Sequence, residues 1–127
     1  RARFGDRTGP RILPLVTLPL AAFFLYLTVS MENPYPAIAA LCLGFACVEL
    51  NEGNYWGVAM RLAPSDSMAS TAALNTGGNL GGVIGTFIVA ALSAKGRWDL
   101  VFTTGVVTSL VAALLWLTIN PGRGERK

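Results

Sequence analysis

Residues 67–94, SMASTAALNTGGNLGGVIGTFIVAALSA, form the longest stretch of this chain without a charged side chain, 28 residues in all. A helix that crosses a bilayer needs about 20 mostly apolar residues, at a rise of about 1.5 Å for each residue. This stretch is long enough for one crossing. We therefore predict a transmembrane helix over residues 68–93.

The rest of the chain is divided in the same way by its few charges. Charged residues make up 13% of the sequence, against roughly 25% in a soluble domain. Three further uncharged runs cover residues 12–31, 33–48 and 100–122. The sequence thus predicts an all-α membrane protein whose partner is the lipid bilayer, with too few residues left for a soluble catalytic domain. The four predicted transmembrane helices cover residues 12–30, 36–60, 68–93 and 100–119.

The second predicted span is polar in its second half, which reads ELNEGNYWGVAM at residues 49–60. If the helix ended at Val48 and residues 49–54 formed a solvent loop, the span would hold at most 16 residues. Residues 55–63 would then be a piece too short to cross a bilayer. We therefore predict one continuous helix over residues 36–60.

The basic residues indicate the orientation of the chain in the membrane. Eight Lys and Arg side chains lie on one side, in the arm at residues 1–11, in the loop at Arg61 and in the tail at residues 120–127. Two lie on the other side, in the turn at residues 94–99. Because basic loops stay in the cytoplasm, we expect a multi-pass protein of the inner (plasma) membrane with a cytoplasmic loop at 1–11 and a cytoplasmic tail at 120–127.

Two acidic residues lie inside the second predicted span. Glu49 and Glu52 are three residues apart, which places them on one helix face, and Tyr55 and Trp56 continue that surface. An acidic side chain at mid-depth costs about 2.5–3.5 kcal/mol on insertion scales. One interpretation is a water-filled cavity in which a carboxylate carries a proton, coordinates a cation or orients a substrate hydroxyl. The other is a polar network that packs helices together.

The third predicted span carries two amide side chains on one face. Asn75 and Asn79 are four residues apart, a little more than one helical turn. An amide at this depth requires a polar partner, since water is scarce there. That partner is either a bound polar solute or a neighbouring helix, and both alternatives remain open.

Glycines repeat along the same span. Gly77, Gly81 and Gly85 recur every four residues on nearly the opposite face, and Gly78 and Gly82 form a second pair with the same spacing. Small residues let membrane helices approach closely, so we predict that these five positions pack against helices. The run is not a phosphate-binding loop, because no strand precedes it and no lysine follows at the required position.

Several functional classes are excluded by what the sequence lacks. It contains no histidine, and its two cysteines, Cys42 and Cys47, lie about 140° apart on a helix. Neither a metal site nor a disulfide is expected from that pair. No nucleophile lies near a base in the sequence, and the basic residues are not interleaved with aromatic ones. We expect no enzymatic activity, no cofactor, no metal and no nucleic-acid partner.

Three stretches of the chain resemble the anion:cation symporter family of the major facilitator superfamily, which includes hexuronate, glucarate and galactonate carriers. The first resembles the end of a D-R-x-G-R-[RK] cytoplasmic loop, at Asp6, Arg7, Gly9 and Arg11, with Pro10 in place of the usual basic residue. The second, at residues 51–60, resembles the E-G-x-[YF]-W segment of that family's tenth helix. The third, at residues 74–102, resembles the glycine- and asparagine-rich eleventh helix and the start of the twelfth.

The resemblance implies that the chain is a fragment, comprising helices nine to twelve of a twelve-helix fold, so that the N-terminal helices of the same transporter are missing partners. It implies proton-coupled uptake of a small organic anion, such as a sugar acid, by alternating access. Candidate substrate contacts are then Tyr55, Trp56, Asn75 and Asn79, together with the Glu52 carboxylate. The acidic residues of this chain, Glu49 and Glu52, are the candidates for proton or ion coupling that the sequence itself offers, whereas the resemblance places the family's proton-coupling carboxylates in the missing N-terminal half.

A second function, of a different class, also fits the pattern of residues. Four spans with glycine stripes are compatible with a small membrane scaffold or accessory subunit that binds partner helices through those stripes. The acidic pair inside the second span favours the transporter.

Overall fold

The computed structural model of the chain describes residues 9–119, all of which lie in helices or in the turns that join them. Within this range four segments are long and apolar enough to cross a membrane, because the second and third helices together form one segment. The predicted all-α fold with four membrane helices is therefore confirmed. The helices are α1 (Gly9–Ser30), α2 (Pro34–Glu49), α3 (Glu52–Leu62), α4 (Ser67–Ser93) and α5 (Trp98–Trp116), with a 3₁₀ turn at Pro64–Asp66.

The first helix begins earlier than predicted. Residues 9–11, which the sequence assigned to a loop, form the first turn of α1. Pro10 fits this position, since a proline in the first turn lacks only an N–H that has no helical partner. Residues 1–8 and 120–127, with Asp6, Arg7 and the predicted tail, lie outside the described residues.

A side-chain cap sets the start of α2. The Asn33 side chain accepts a hydrogen bond from the backbone N–H of Tyr35 at 3.0 Å. Pro34 and Pro36 then occupy the first turn, where their fixed φ angle favours a helix. The helix consequently starts two residues before the predicted boundary.

The second span is not one unbroken helix, which corrects the prediction for residues 36–60. The backbone N–H of Asn51 donates to Val48, three residues back, at 3.0 Å instead of continuing the four-residue pattern. Helical bonding resumes when the N–H of Tyr55 donates to the carbonyl of Asn51 at 2.9 Å. Residues 49–54 do not form a solvent loop either, since only two residues, Leu50 and Asn51, separate α2 from α3.

The turn between α4 and α5 depends on a glycine. Gly96 has a φ angle of +67°, in the left-handed region that other residues adopt at a cost. Its N–H donates to Ser93 at 2.9 Å, and the N–H of Arg97 donates to Leu92 at 3.0 Å. This pair of bonds closes the C-terminus of α4 and reverses the chain.

The last helix is shifted relative to its predicted range of 100–119. It begins at Trp98, and it ends at Trp116. The next two N–H groups, at residues 117 and 118, donate to carbonyls three residues back at 3.0 Å each. Beyond them the Arg11 guanidinium donates to the carbonyl of Ile119, so that a cation lies near the C-terminal end of α5.

The first helix is the centre of the bundle and packs against both α2 and α5. Glycines allow the close approach on each side. A Cβ placed on Gly44 of α2 would lie 3.3 Å from the Cβ of Phe24, and one placed on Gly105 of α5 would lie 3.3 Å from Leu25. Neither glycine was predicted to pack helices, because neither belongs to a repeated pattern.

A small apolar cluster joins three helices at the level of α3. Leu18 of α1, Val58 of α3 and two residues of α5, Ala113 and Trp116, are all buried in it. Because α3 contributes to this cluster, its orientation is fixed relative to α1 and α5. The faces of α3 that remain free are turned towards α4.

The fourth helix stands apart from this core. It contacts α3 and α5, but in the part of the chain that the structure describes none of its residues is buried. Near its N-terminus the Ser70 hydroxyl donates to the backbone carbonyl of Ala59 at 2.6 Å. The helix is therefore attached to α3 at one end and leaves clefts along the rest of its length.

Candidate functional site: a polar cavity between α3 and α4

A cavity of about 190 Å³ lies between α3 and α4. On α3 its lining residues recur at intervals of three and four, which places them on one face. The cavity thus brings together all five residues that the sequence proposed as substrate contacts. It is lined by Glu52, Tyr55 and Trp56 of α3, and by Leu74, Asn75, Gly78 and Asn79 of α4.

Glu52 is the first residue of α3 and the one carboxylate in the cavity lining. The first N–H groups of a helix have no helical partner and carry partial positive charge, which favours a carboxylate at this position. One turn later the indole Nε1 of Trp56 donates to Glu52 Oε1 at 3.3 Å. The carboxylate is therefore held at the cavity by both the helix end and a side chain.

Tyr55 connects the cavity to the apolar core. Its ring stacks on the ring of Trp116, with centroids 5.5 Å apart and planes inclined by 17°. Tyr55 is partly buried, and its neighbours in the core include Leu18 and Val58. The ring is thus supported from behind while it lines the cavity in front.

Asn75 and Asn79 supply amide groups from the opposite wall. Both side chains are exposed, and within residues 9–119 neither amide forms a hydrogen bond with another group. An amide has two donors and a carbonyl acceptor, so each can bind a polar solute. Of the two alternatives for these residues, this arrangement favours contact with a solute over bonding between the described helices.

Glu49 does not share the cavity, contrary to the prediction of a site lined by both carboxylates. It is the last residue of α2, is exposed, and is not among the lining residues. The lining of the cavity therefore contains a single acidic group, Glu52.

No described helix packs tightly against the predicted packing glycines. For each of them, a Cβ would meet no heavy atom of residues 9–119 within 4 Å. Gly78 lines the polar cavity, while Gly81 and Gly85 line a second, apolar groove of about 440 Å³ bordered by α1, α4 and α5. Helix packing therefore stays a prediction at these positions: Gly77, Gly78, Gly81, Gly82 and Gly85.

Two amide side chains that the sequence analysis did not select hold α3 in place. Asn51 is completely buried and bonds to Thr17 of α1. Asn54 Nδ2 donates to the Pro10 carbonyl at 2.8 Å. That carbonyl lacks its usual helical donor because the residue four positions later is Pro14, which has no N–H. A proline inside a membrane helix therefore signals that the carbonyl four residues before it needs another donor, which here is Asn54.

The lining groups define the chemistry that the cavity offers. Amides, a phenol and an indole provide hydrogen-bond donors, and Glu52 provides a negative charge when it is ionised. Within residues 9–119 no three His, Cys, Asp or Glu side chains come close enough to hold a metal ion. The arrangement suits hydroxyl and other polar groups of a small solute. It suits an anion's charge when Glu52 is protonated.

Comparison with known proteins identifies transporters. The chain is 29% identical over 102 residues to probable anion transporter 4, chloroplastic, of Oryza sativa subsp. japonica, covering 77% of this chain and 17% of that protein. It is 28% identical over 101 residues to sodium-dependent phosphate transport protein 1, chloroplastic, of Arabidopsis thaliana, covering 80% and 20%. A second rice protein, probable anion transporter 1, chloroplastic, is 30% identical over 105 residues, covering 80% and 19%.

These relatives are much longer than the matched region, since the chain spans at most about a fifth of the length of each. No protein-family model matches the chain. No solved structure gives a significant match. The comparisons, together with the four apolar helices, support a multi-pass membrane protein related to anion transporters.

Proposed function

We propose that this chain forms part of a secondary active transporter that carries a small anion across a membrane by alternating access. The observation that carries this proposal is the cavity between α3 and α4. It gathers a carboxylate, a phenol, an indole and two amides from two spans that are long enough to cross the membrane. Polar side chains inside a membrane segment raise the free energy of insertion, so they are typical of segments that line a solute pathway or bond to a partner helix.

The break between α2 and α3 supports the same function. Transporters commonly build their substrate sites from discontinuous membrane helices, whose inner ends point at the solute. Here the interrupted segment is the one that contributes Glu52, Tyr55 and Trp56 to the cavity. The N-terminus of α3 adds partial positive charge beside them, which favours an anionic group.

We propose further that the chain is the C-terminal third of a major facilitator transporter, with α1, α2–α3, α4 and α5 as helices nine to twelve. Its resemblance to the anion:cation symporter family supports this, as does the limited share of its relatives that it matches. The remaining helices would form the other wall of the cavity. Both ends of the described chain would then face the cytoplasm, in an inner or plasma membrane.

Coupling to protons is the mechanism that the cavity favours. An anion and an ionised Glu52 would repel each other across a cavity of this size. Protonation of Glu52 removes that repulsion, so a proton and an anion would enter together and leave together. Glu49, which lies outside the cavity, would take no part in this exchange.

For the substrate, we propose an organic anion with hydroxyl groups, such as a sugar acid: the resemblance to the anion:cation symporter family supports the negative charge, and the cavity supports the hydroxyl groups. Asn75, Asn79, Tyr55 and Trp56 offer hydrogen bonds to hydroxyls, and no lysine or arginine lies among the lining residues. Sodium-driven transport of phosphate is a second candidate. It is favoured by the similarity to the Arabidopsis relative, which is named a sodium-dependent phosphate transport protein.

Uptake into vesicles tests these alternatives. The full-length gene product, reconstituted in proteoliposomes, should accumulate radiolabelled galactonate or glucuronate when the outside is acidic, and a proton ionophore should abolish this accumulation. Sodium-driven uptake of phosphate would instead support the second candidate. A protein that inserts correctly but carries none of these anions under either gradient would contradict the transporter.

A scaffold or accessory subunit remains the alternative from another class. The observation that favours it concerns α4. A Cβ placed on any of the five glycines of α4 would meet no heavy atom of the described residues within 4 Å, which leaves room for a partner helix. In that case the purified protein would remain bound to a partner membrane protein in mild detergent. Replacement of Gly81 by Leu would release that partner, whereas Asn79→Ala would leave it bound.

A further inference from the structure

Asn51 is the most completely buried large polar side chain in the structure, with an exposed fraction of 0%. It lies at the junction of α2 and α3 and is not part of the cavity lining. A buried amide is costly in an apolar environment unless all its hydrogen-bonding groups are satisfied. Its presence in the middle of a membrane segment therefore calls for a function.

The amide is satisfied by groups on two helices. Asn51 Nδ2 lies 2.7 Å from the Thr17 hydroxyl of α1, 2.9 Å from the Cys47 carbonyl and 3.2 Å from the Val48 carbonyl. The single Thr17 hydroxyl proton can be donated to Asn51 Oδ1 at 3.0 Å or to the Leu13 carbonyl at 2.9 Å. The side chain thus bonds both to α1 and to the end of its own helix.

The bond to Cys47 replaces one that the backbone does not make. In a continuous helix the N–H of residue 51 would donate to Cys47, four residues back. In this chain that N–H donates to Val48 at 3.0 Å, and the side-chain Nδ2 donates to Cys47 instead. Asn51 therefore stabilises the interruption by supplying the donor that the tightened turn has removed.

The interruption in turn decides where α3 begins. Glu52 follows Asn51 directly and becomes the first residue of α3, and Tyr55 donates its N–H to the Asn51 carbonyl at 2.9 Å. If α2 continued as a regular helix through this point, its later residues would have a different rotation about the axis. The side chains of Glu52, Tyr55 and Trp56 would then turn relative to α4.

We propose that Asn51, bonded to Thr17, is a positioning residue that fixes the break between α2 and α3 and thereby presents Glu52, Tyr55 and Trp56 to the cavity. Asn51 does not touch a bound solute; it acts through the three residues that do. This proposal rests on the proposed transport function for its consequence in the cell. Its structural part, the orientation of α3, is independent of that function.

Cysteine accessibility tests the structural part without any transport. In the full-length protein in its native membrane, Cys42 and Cys47 are replaced by Ala and Glu52 by Cys. The labelling rate with a water-soluble maleimide is then compared among variants. Asn51→Leu, which removes all the side-chain bonds but suits a membrane helix, should slow labelling by about tenfold, which corresponds to about 1.4 kcal/mol.

Two further variants make the result specific. Thr17→Val removes only the bond to α1 at nearly constant volume, and it should slow labelling in the same direction. Thr28→Val, the same substitution in the same helix, removes only a bond to the Phe24 carbonyl at 2.9 Å, away from the break, and it should leave the labelling rate unchanged. If Asn51→Leu does not insert, Thr17→Val alone decides between the outcomes.

Transport supplies the second readout, and it separates this proposal from the function on which it rests. In the protein that retains Glu52, both Asn51→Leu and Thr17→Val should raise the KM for the anion by about tenfold, whereas Thr28→Val should leave it unchanged. If labelling is slowed as expected but the parent protein, with Glu52 intact, transports no anion, the positioning role is supported and the transport function is contradicted. Unchanged labelling with an unchanged KM would overturn the positioning role and leave the transport function intact.

Discussion

The ring of Tyr55 stacks on the ring of Trp116 at a centroid distance of 5.5 Å, and this contact joins the cavity wall to the buried core. Trp116 belongs to α5 and is itself buried beside Val58. One residue thus lines the cavity while the other anchors it. A substitution of Trp116 should change the cavity from a distance, since Trp116 is not among its lining residues.

We expect Trp116→Ala to raise the KM for the transported anion, because the Tyr55 ring loses the surface that holds it. An aromatic pair contributes about 0.5–1.5 kcal/mol beyond its burial, which corresponds to a change of up to about tenfold. Trp116→Phe, which keeps an aromatic surface, should retain most of the affinity. Uptake kinetics in proteoliposomes provide the measurement, and equal effects of the two substitutions would contradict the role of stacking.

Asn79→Ala should weaken substrate binding, whereas Gly85→Ala should not. Asn79 lines the polar cavity and has no hydrogen-bond partner within residues 9–119, so its amide is free to form a hydrogen bond with a bound solute. The loss of one such bond should reduce affinity by about fivefold to tenfold. Gly85 opens on the apolar groove, and a methyl group there meets no described heavy atom within 4 Å.

Binding measured by isothermal titration calorimetry on the full-length protein would separate these two residues. The protein should unfold at nearly the same temperature with either substitution, which controls for general damage. Equal losses of affinity would show that the helix is sensitive as a packing element, and the assignment of Asn79 to the solute would then be wrong.

Glu52→Gln should uncouple transport from the proton gradient. Glutamine keeps the size and the hydrogen-bonding capacity of a protonated glutamate, but it cannot release a proton. Exchange of labelled for unlabelled anion should therefore continue, while accumulation driven by an acidic exterior should be lost. Because Glu49 lies outside the cavity, Glu49→Gln is the matched control and should accumulate the anion as the parent protein does. Loss of accumulation in Glu49→Gln alone would reverse the assignment.

The features of this fold that the sequence predicts are those that depend only on residues close together in the chain. Three of the four spans were predictable because charge-free runs of sufficient length are a local property, and the second because its 16-residue run is too short to cross a bilayer alone. The cavity residues were predictable because spacings of three and four define a helix face, as for Glu52 and Trp56. These arguments require no knowledge of neighbouring helices.

The break at Asn51 was not predictable in the same way. It depends on Thr17, 34 residues earlier in the chain, and on the choice between a backbone and a side-chain donor to Cys47. The repeated glycines of α4 revealed a capacity for close packing, but the position of a partner helix is not encoded in the repeat.

Gly44 is one of two glycines that permit close packing among the described helices, and its substitution should destabilise the fold. A Cβ at this position would lie 3.3 Å from the Cβ of Phe24 and 3.5 Å from the carbonyl oxygen of Ala21. The larger side chain of Gly44→Leu would force α2 away from α1, at a cost of about 1–3 kcal/mol. Gly57→Leu is the matched control, since among residues 9–119 nothing lies within 4 Å of a Cβ there. Unfolding in mixed micelles of increasing sodium dodecyl sulfate, followed by circular dichroism, measures both variants. A loss at Gly57 as large as that at Gly44 would mean that any leucine in these spans is harmful, and the α1–α2 contact would not explain the effect.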